Sequence, residues 1–392
     1  MPNAVIVDAV RTPGGKRNGK LSGWHPADLA AETLQALAER NDLDPALVDD
    51  VIMGCVMQVG DQSVNIARNA VLAAGWPESV PATTVDRQCG SSQQALHFAA
   101  QGVMAGAYDV VVAAGVECMT RVPMGASIGS GVGFPFGPKV QARYEPVGGL
   151  VPQGISAEMI ADRWGLSRED LDAFGARSQQ LGVRATEEGR FEREIVPVAV
   201  RDPEGKETGE LLERDEGLRP GTTAETLSKL KPAFKQDGKV TAGNSSQITD
   251  GASAVLVMSE ERANELGLAA RARFVGFAVV GVDPVTMLTG PIPATKRVLE
   301  RTKLDLGEID LVEINEAFAS VVLAWEKELH PDMERVNVNG GAIALGHPLG
   351  ASGTKLMATL VNELERSGGR YGLQTMCEGG GLANATVVER LG

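Results

Sequence analysis

The sequence is poor in several residue types and lacks long apolar runs. Aromatic residues make up only 4% of the 392 residues, and the chain has four cysteines and four histidines. No apolar run reaches about 18 residues, so we expect no membrane-spanning helix. The beginning "MPNAVIVDAVRTP" lacks a basic patch followed by an apolar stretch, and the end "VVERLG" matches no common targeting signal. These features predict a cytoplasmic protein.

Basic residues are outnumbered by acidic ones. The 37 lysines and arginines stand against 51 aspartates and glutamates, which gives a formal net charge of -14. Nucleic acids and anionic membranes attract positively charged surfaces, so we expect neither as a partner. A small anionic ligand is compatible with an acidic chain if basic residues cluster locally. One such cluster lies between Glu213 and Lys235.

The cysteines do not form a metal-binding or disulfide pattern. They are Cys55, Cys89, Cys118 and Cys377, with no C-x-x-C pair and no histidine at zinc-finger spacing. We therefore expect no metal site and no disulfide framework. Most free cysteines are inert core residues, and a functional role for any of these thiols must be weighed against that interpretation.

The two ends of the chain contain a weak internal repeat. "NDLDPALVDDVIMGCV" from Asn41 matches "TKLDLGEIDLVEINEAF" from Thr302 at a constant offset of 261 residues. The same offset places "CGSS" at Cys89 against "GASG" at Gly350. Two separate stretches with one shared offset predict two related halves with an insertion between them.

Strand and helix patterns alternate within each half. "NAVIVDAV" is an apolar run typical of a strand, and "PADLAAETLQALAERNDL" has helical spacing. Such alternation predicts an α/β fold with mostly parallel sheets covered by helices. The stretch from about Arg121 to Gly243 breaks the rhythm with a glycine-rich opening and several prolines. Long irregular insertions of this kind are commonly lids or binding loops.

Cys89 falls where a predicted strand passes into a predicted helix. Its sulfur would lie near the unpaired N–H groups of the first helical turn, which favour a thiolate and lower the thiol pKa. We expect the side chain to be exposed at the carboxyl end of the sheet, where α/β folds place their ligands. The alternative is an ordinary buried thiol.

Three further stretches contain residues suited to thiol chemistry. His347 lies among glycines before a helix, in what we expect to be an exposed turn, and is a candidate base for a thiol. Asn315 follows the apolar strand "LVEI", although a helix cap is an equal explanation. Cys377 ends the last strand and precedes three glycines whose N–H groups could face an oxyanion.

These motifs together resemble the thiolase family. They are "CGSS" at 89–92, "NEAF" at 315–318, "GHPLGASG" at 346–353 and "CEGGG" at 377–381, supported by "TAGNSSQITDGASAVLVMS" and "GPIPA". The resemblance covers essentially the whole chain. It implies a five-layered α-β-α-β-α core of two similar βαβαβ-type halves plus an inserted loop domain. The expected divisions are 1–120, completed by about 244–270, then the loop domain at 121–243, then 271–392.

The resemblance implies thiolytic cleavage of a 3-ketoacyl-CoA by CoA, through an S-acyl cysteine, in fatty-acid or steroid breakdown. Cys89 is then the nucleophile, His347 takes its proton, and Cys377 protonates the departing acetyl-CoA enolate. A thiol suits that task because its reference pKa of about 8.5 lies near working pH.

The remaining roles also follow from the resemblance. Asn315, through a water, and His347 would hold the enolate, and the N–H groups of Cys89 and Gly379 would hold the tetrahedral oxyanion. The residues expected to contact CoA or its thioester are Arg219, Ser246, Met287 and Phe318. CoA and acyl-CoA are expected as substrates, with no tightly bound cofactor, and the protein is expected to be a homodimer or homotetramer.

One departure from the family bears on the substrate. Short-chain biosynthetic thiolases carry a His-Met pair where this chain has Pro152 and Gln153. This favours a bulkier acyl group over acetoacetyl-CoA, although an acetyl-CoA C-acetyltransferase making acetoacetyl-CoA stays open as a second interpretation. Three rival functions are a 3-ketoacyl synthase, a cysteine hydrolase, and a non-catalytic acyl-CoA- or lipid-binding protein on the same scaffold.

Overall fold

The computed structural model describes residues 2–129 and 131–392; Met1, in the predicted N-terminal half, and Ser130, in the predicted insertion, lie outside the described residues. The strands are β1 (Ala4–Arg11), β2 (Gly15–Lys16), β3 (Asp50–Gly54), β4 (Ala82–Val85), β5 (Val110–Cys118), β6 (Val198–Arg201), β7 (Glu207–Leu212), β8 (Thr249–Ser259), β9 (Ala272–Gly281), β10 (Leu311–Ile314), β11 (Tyr371–Glu378) and β12 (Leu382–Arg390).

The helices are α1 (Pro26–Arg40), α2 (Ile66–Ala73), α3 (Ser91–Met104), α4 (Pro138–Tyr144), α5 (Gln153–Arg163), α6 (Arg168–Glu187), α7 (Ala224–Ser228), α8 (Glu260–Glu265), α9 (Pro291–Thr302), α10 (Ala319–Leu329), α11 (Ala342–Leu345) and α12 (Ser352–Ser367). Short 3₁₀ turns connect several of these elements. Among the described residues, no helix combines the length and apolar composition needed to cross a membrane.

The main sheet is mixed, so the expectation of mostly parallel sheets is wrong. Its order is β10-β11-β12-β9-β1-β8-β5-β3-β4. The β3–β4, β3–β5 and β10–β11 pairs are parallel, whereas β8 and β12 pair antiparallel with both of their neighbours in this order. A short turn joins β11 to β12, and the long insertion separates β5 from β8. Neither connection is the helical crossover that keeps neighbouring strands parallel.

The repeat detected in the sequence corresponds to repeated structure. β3 and β10, α3 and α12, and β5 and β11 each begin 261 positions apart. The two halves of the sheet meet where β1 pairs with β9, at Val5 with Arg273 and Ile6 with Ala272. The offset therefore relates a β-α-β unit in one half to a β-α-β unit in the other.

The elements stack in five layers. α1 and α2 cover the outer face of the N-terminal half, and α9 and α10 cover the C-terminal half. α3 and α12 lie between the halves and contact strands of both. These two central helices are buried on nearly every side, as expected for helices covered by sheet on both faces.

The insertion contains α4 to α7 and the separate β6–β7 pair. Arg11, at the end of β1, fastens it to the core through Glu194 at 2.6 Å and Asp215 at 2.8 Å, all fully or almost fully buried. Removing one partner from such a buried ion pair lowers the free energy of unfolding by about 3–5 kcal/mol. These ion pairs therefore hold the insertion firmly against the core. The predicted domain boundaries stay a prediction.

Candidate active site

Cys89 lies directly before α3, with Gly90 as the N-cap residue of that helix. Its side chain is 5% exposed. The sulfur accepts hydrogen bonds from its own N–H, from the N–H of Gly379, and from the side chain of Gln153. The structure thus brings together the two backbone N–H groups that the family resemblance assigned to one oxyanion site.

The expected exposure and lowered pKa of this thiol are both wrong. Burial, followed by the nearby Glu378 carboxyl, raises the pKa of Cys89 to about 12. The hydrogen bonds to the sulfur act in the opposite direction and do not overcome desolvation. The resting residue is therefore a neutral thiol, and it needs a base to become a nucleophile.

His347 is buried and not in an exposed turn as predicted, with 3% of its surface accessible. Ser352 Oγ donates to the carbonyl of Pro348 at 2.8 Å, so it accepts from His347 Nδ1–H at 2.5 Å. This assigns the proton to Nδ1 and leaves Nε2 as an acceptor, 3.4 Å from Asn315 Nδ2. Burial, with the charge of Lys355, lowers the pKa of His347 to about 3, so the imidazole is neutral.

Lys355, one turn into α12, fixes the turn that carries His347. Its Nζ donates to the carbonyls of Leu345 at 2.7 Å and Gly346 at 2.8 Å. Burial lowers the pKa of this ammonium to about 8, while the Asp215 carboxylate acts in the opposite direction. The two bonds hold the backbone directly before His347 in place.

Cys377, near the end of β11, is fully buried. Burial and then the neighbouring Cys89 raise the pKa of its thiol well above the usual value. The effect of the Cys89 sulfur on Cys377 indicates that the two thiols lie near each other. Leu349, two residues after His347, packs in the same apolar cluster as Cys89.

Each of the two cysteines packs against a wall of apolar side chains. The wall on the Cys89 side consists of Val56, Met57, Met119, Val122 and Leu349. On the other side, Cys377 belongs to a cluster that contains Met287 and Phe318, two of the residues predicted to line the thioester pocket. The Phe318 ring also contacts Phe234 edge to face, with centroids 5.9 Å apart.

The two residues predicted to contact CoA differ in their exposure. Ser246 is half-buried and its N–H donates to the carbonyl of Ala317 at 3.0 Å, beside Phe318. Arg219 is exposed, and its backbone N–H donates to Gln179 Oε1 at 2.8 Å. The structure gives Arg219 no direct contact with the thiols among the described residues.

Four polar residues of the site were not predicted for it. Gln153 stood out only as a departure from a family pattern, and no role was predicted for Ser352, Lys355 or Glu378. Ser352 and Lys355 stand five and eight positions after His347, and Glu378 follows Cys377 directly. Their closeness in sequence was the available signal. Within the described part of the chain, no group of three or more His, Cys, Asp and Glu is placed to hold a metal ion.

Two family profiles match the chain. One describes the N-terminal domain of thiolases and matches residues 4–261, and the other describes the C-terminal domain and matches residues 268–390. The chain belongs to the thiolase family. This confirms the family and the fold class predicted from the sequence.

Individual relatives match over all or nearly all of their length. A steroid 3-ketoacyl-CoA thiolase of Mycobacterium tuberculosis is 50% identical over 395 residues, covering 100% of this chain and 95% of that protein. A 3-ketoacyl-CoA thiolase of Aliivibrio fischeri is 48% identical, with 100% of both chains covered. The crystal structure of an acetyl-CoA acetyltransferase from Bacillus anthracis superposes with a TM-score of 0.89 at 40% identity, covering 100% of this chain and 99% of that one.

Proposed function

We propose that this chain is a degradative 3-ketoacyl-CoA thiolase, which uses CoA to cleave a 3-ketoacyl-CoA into acetyl-CoA and a shortened acyl-CoA. The observation that supports this most strongly is the proximity of two thiols, Cys89 and Cys377, indicated by the effect of Cys89 on the pKa of Cys377. A neutral imidazole whose Nε2 is unprotonated belongs to the same site. One thiol can carry an acyl group while the other handles a proton at carbon.

The first step is attack of Cys89 on the 3-keto carbon. His347 Nε2 removes the thiol proton as the sulfur–carbon bond forms, and the carbonyl oxygen becomes an alkoxide. The N–H groups of Cys89 and Gly379 donate to the sulfur of the resting thiol, which supports a role in holding that alkoxide. Each such donor lowers the barrier by about 3 kcal/mol.

The second step breaks the bond between carbons 2 and 3. The alkoxide re-forms a carbonyl, which leaves an acyl thioester on Cys89, and the electron pair moves onto acetyl-CoA as an enolate. The enolate oxygen is held by His347 and by a water that Asn315 positions. Cys377 gives its thiol proton to the enolate carbon and is left as a thiolate.

CoA completes the cycle. Its thiol proton passes to the Cys377 thiolate, and its sulfur attacks the acyl thioester. The second tetrahedral adduct collapses to release the shortened acyl-CoA, and Cys89 leaves as a thiolate that recovers its proton from His347. The sequence of steps is ping-pong and needs no redox cofactor or metal ion.

The acyl group is a bulky apolar one. The wall of Met57, Met119 and Val122 beside Cys89 continues along the chain into exposed apolar side chains at Met124 and Ile128. Methionine side chains adapt to irregular apolar shapes, which suits a long or polycyclic group better than an acetyl group. Similarity to the mycobacterial steroid thiolase also supports a large substrate.

The remaining predictions from the sequence are retained in this proposal. CoA lies along Ser246, with its nucleotide near Arg219, and the region 121–243 forms the binding domain between the halves 1–120 and 271–392. CoA and acyl-CoA are substrates, and no tightly bound cofactor is required. The enzyme works in the cytoplasm as a homodimer or homotetramer.

The test is thiolysis of 3-ketoacyl-CoAs that differ in acyl size: acetoacetyl-CoA, a long straight-chain substrate and a steroid-derived substrate. We expect kcat/KM to be highest for a large substrate. Cys377→Ala should lower kcat by about 10²–10⁴ because a general acid is removed. Preference for acetoacetyl-CoA would favour an acetyltransferase, and absence of thiolysis with every substrate would overturn the proposed function.

A further inference from the structure

Glu378 is the last residue of β11 and follows Cys377 directly. It is fully buried, and neither carboxyl oxygen has a hydrogen-bond partner among the described residues. A buried carboxylate without partners is strongly disfavoured, whereas a protonated carboxyl is tolerated much better. The environment of Glu378 thus favours its neutral form.

The carboxyl group lies against the beginning of α3. One of its oxygens is 2.0 Å from the point where a Cβ on Gly90 would stand, and Asn384 Oδ1 is 2.9 Å from the same point. Asn384 Nδ2 donates to the carbonyl of Gly90 at 3.3 Å, while its Oδ1 has no partner among the described residues. A protonated Glu378 therefore has an unused acceptor beside it.

The charged and titratable groups around Glu378 come from two segments. Arg87 and Asp86 precede Cys89 in the loop before α3, and Cys377 precedes Glu378 on β11. Burial raises the pKa of Glu378 to about 8, with Arg87 acting against that rise and Asp86 adding to it. Glu378 in turn raises the pKa of both Cys89 and Cys377.

We propose that Glu378 is a positioning residue for Cys89: as a neutral acid packed on Gly90 it leaves the positive end of α3 to the sulfur, and as a carboxylate it opposes the thiolate. The helix end attracts negative charge, and the sulfur and the carboxyl both lie beside it. Protonation of Glu378 thereby permits the nucleophile to form, and its ionisation suppresses it. This inference rests on the proposed role of Cys89.

The test is the pH dependence of Cys89 alkylation by iodoacetamide between pH 6 and pH 10, in the wild type and in Glu378→Gln. Glutamine has the shape of the protonated acid and stays neutral at every pH. We expect the two proteins to react at equal rates below about pH 7.5. Above about pH 8 the variant should react faster, and the difference should reach about tenfold at pH 9.5. A merely structural effect would change the rate at low pH as well.

Other titrating groups do not produce this divergence. His347 stays neutral across the range, and Lys355, which titrates near pH 8, is the same in both proteins. The matched control is Glu389→Gln at the other end of the β11–β12 hairpin, where the carboxylate pairs with Arg273 and Arg370. This control should follow the wild-type profile.

Peptide mapping of the alkylated protein shows whether the role of Cys89 or only the role of Glu378 is wrong. If alkylation occurs at another cysteine, the assignment of Cys89 as nucleophile is wrong, and this inference fails with it. If alkylation occurs at Cys89 and the two profiles coincide at every pH, only the role of Glu378 is overturned. Should Glu378→Gln not fold, the same comparison is made with Glu378→Met, which is also neutral at every pH: a variant that reacts faster than the wild type only above about pH 8 supports the role, and coinciding profiles reject it.

Discussion

At the scale of single residues, burial governs the chemistry of this site. Cys89 and His347 both lie at turns that the sequence suggests are open, yet both are almost fully buried. Desolvation favours the neutral form of each group, which raises the pKa of the thiol and lowers the pKa of the imidazole. The resting pair is therefore uncharged, and the proton moves only when bound substrate stabilises the charges that develop.

Ser352 tests this picture because it fixes the protonated nitrogen of His347. Ser352→Ala removes the acceptor of Nδ1–H, so the imidazole loses its preferred tautomer and orientation. Loss of one such bond costs about 1–1.5 kcal/mol, and we expect kcat to fall about tenfold with little change in KM. Steady-state kinetics with a 3-ketoacyl-CoA measure both quantities.

The control lies at the other end of the same helix. Ser367 Oγ donates to the carbonyl of Glu363 at 2.8 Å, the same bond that Ser352 makes to Pro348. Ser367→Ala should therefore leave kcat unchanged. An equal loss of activity in the two variants would show that Ser352 acts through helix stability and not through His347.

At the scale of elements, the close crossing of α3 and α12 sets the distance between the two halves of the site. Cys89 stands just before α3 and His347 stands a few residues before α12. Gly353 lies at the crossing, where a Cβ would be 2.0 Å from the backbone nitrogen of Gln93. Because backbone atoms cannot turn aside as side chains do, only glycine fits there without displacement.

Gly353→Ala should separate the two central helices. Overpacking of this kind costs about 1–3 kcal/mol, which we expect as a lower free energy of unfolding in urea. The same displacement moves Cys89 away from His347. The kcat of the folded variant should therefore fall as well, by more than the loss of folded protein accounts for. Gly307→Ala is the control, because a Cβ there meets nothing within 4 Å. Full activity in Gly353→Ala would mean that the crossing does not set the geometry of the site.

At the scale of the whole molecule, the protein and its proposed ligand CoA both carry negative charge. A protein with a formal charge of -14 repels an anionic substrate unless local positive charge compensates. The basic segment between Glu213 and Lys235 carries the exposed Arg219, where we place the CoA nucleotide.

Arg219→Ala should raise the KM for CoA without changing kcat. An exposed ion pair contributes up to about 1 kcal/mol, so we expect a rise of up to about fivefold at low salt, and a smaller difference at high salt. Lys296→Ala, an exposed cation on α9 at the outer face of the C-terminal half, should change neither constant. Equal KM values for wild type and Arg219→Ala would remove Arg219 from the binding site.

The fold was largely predictable because its signals are local. Helical spacing indicated α1, apolar runs indicated β1 and β10, and one constant offset revealed the duplication. The direction of β8 and β12 was missed, since strand pairing depends on connections through the long insertion and a tight turn. The positions of Gln153 and Glu378 beside Cys89 were missed for a similar reason, because three distant segments meet there.

The sequence by itself determined the family, the order of the two halves and the identity of the candidate reacting groups, because these are carried by short motifs read one after another. Only the tertiary structure decided the charge state of those groups. Cys89, His347 and Glu378 are enclosed by layers contributed from both halves of the chain, and the cost of desolvation depends on everything that surrounds a group, which no local stretch of sequence contains.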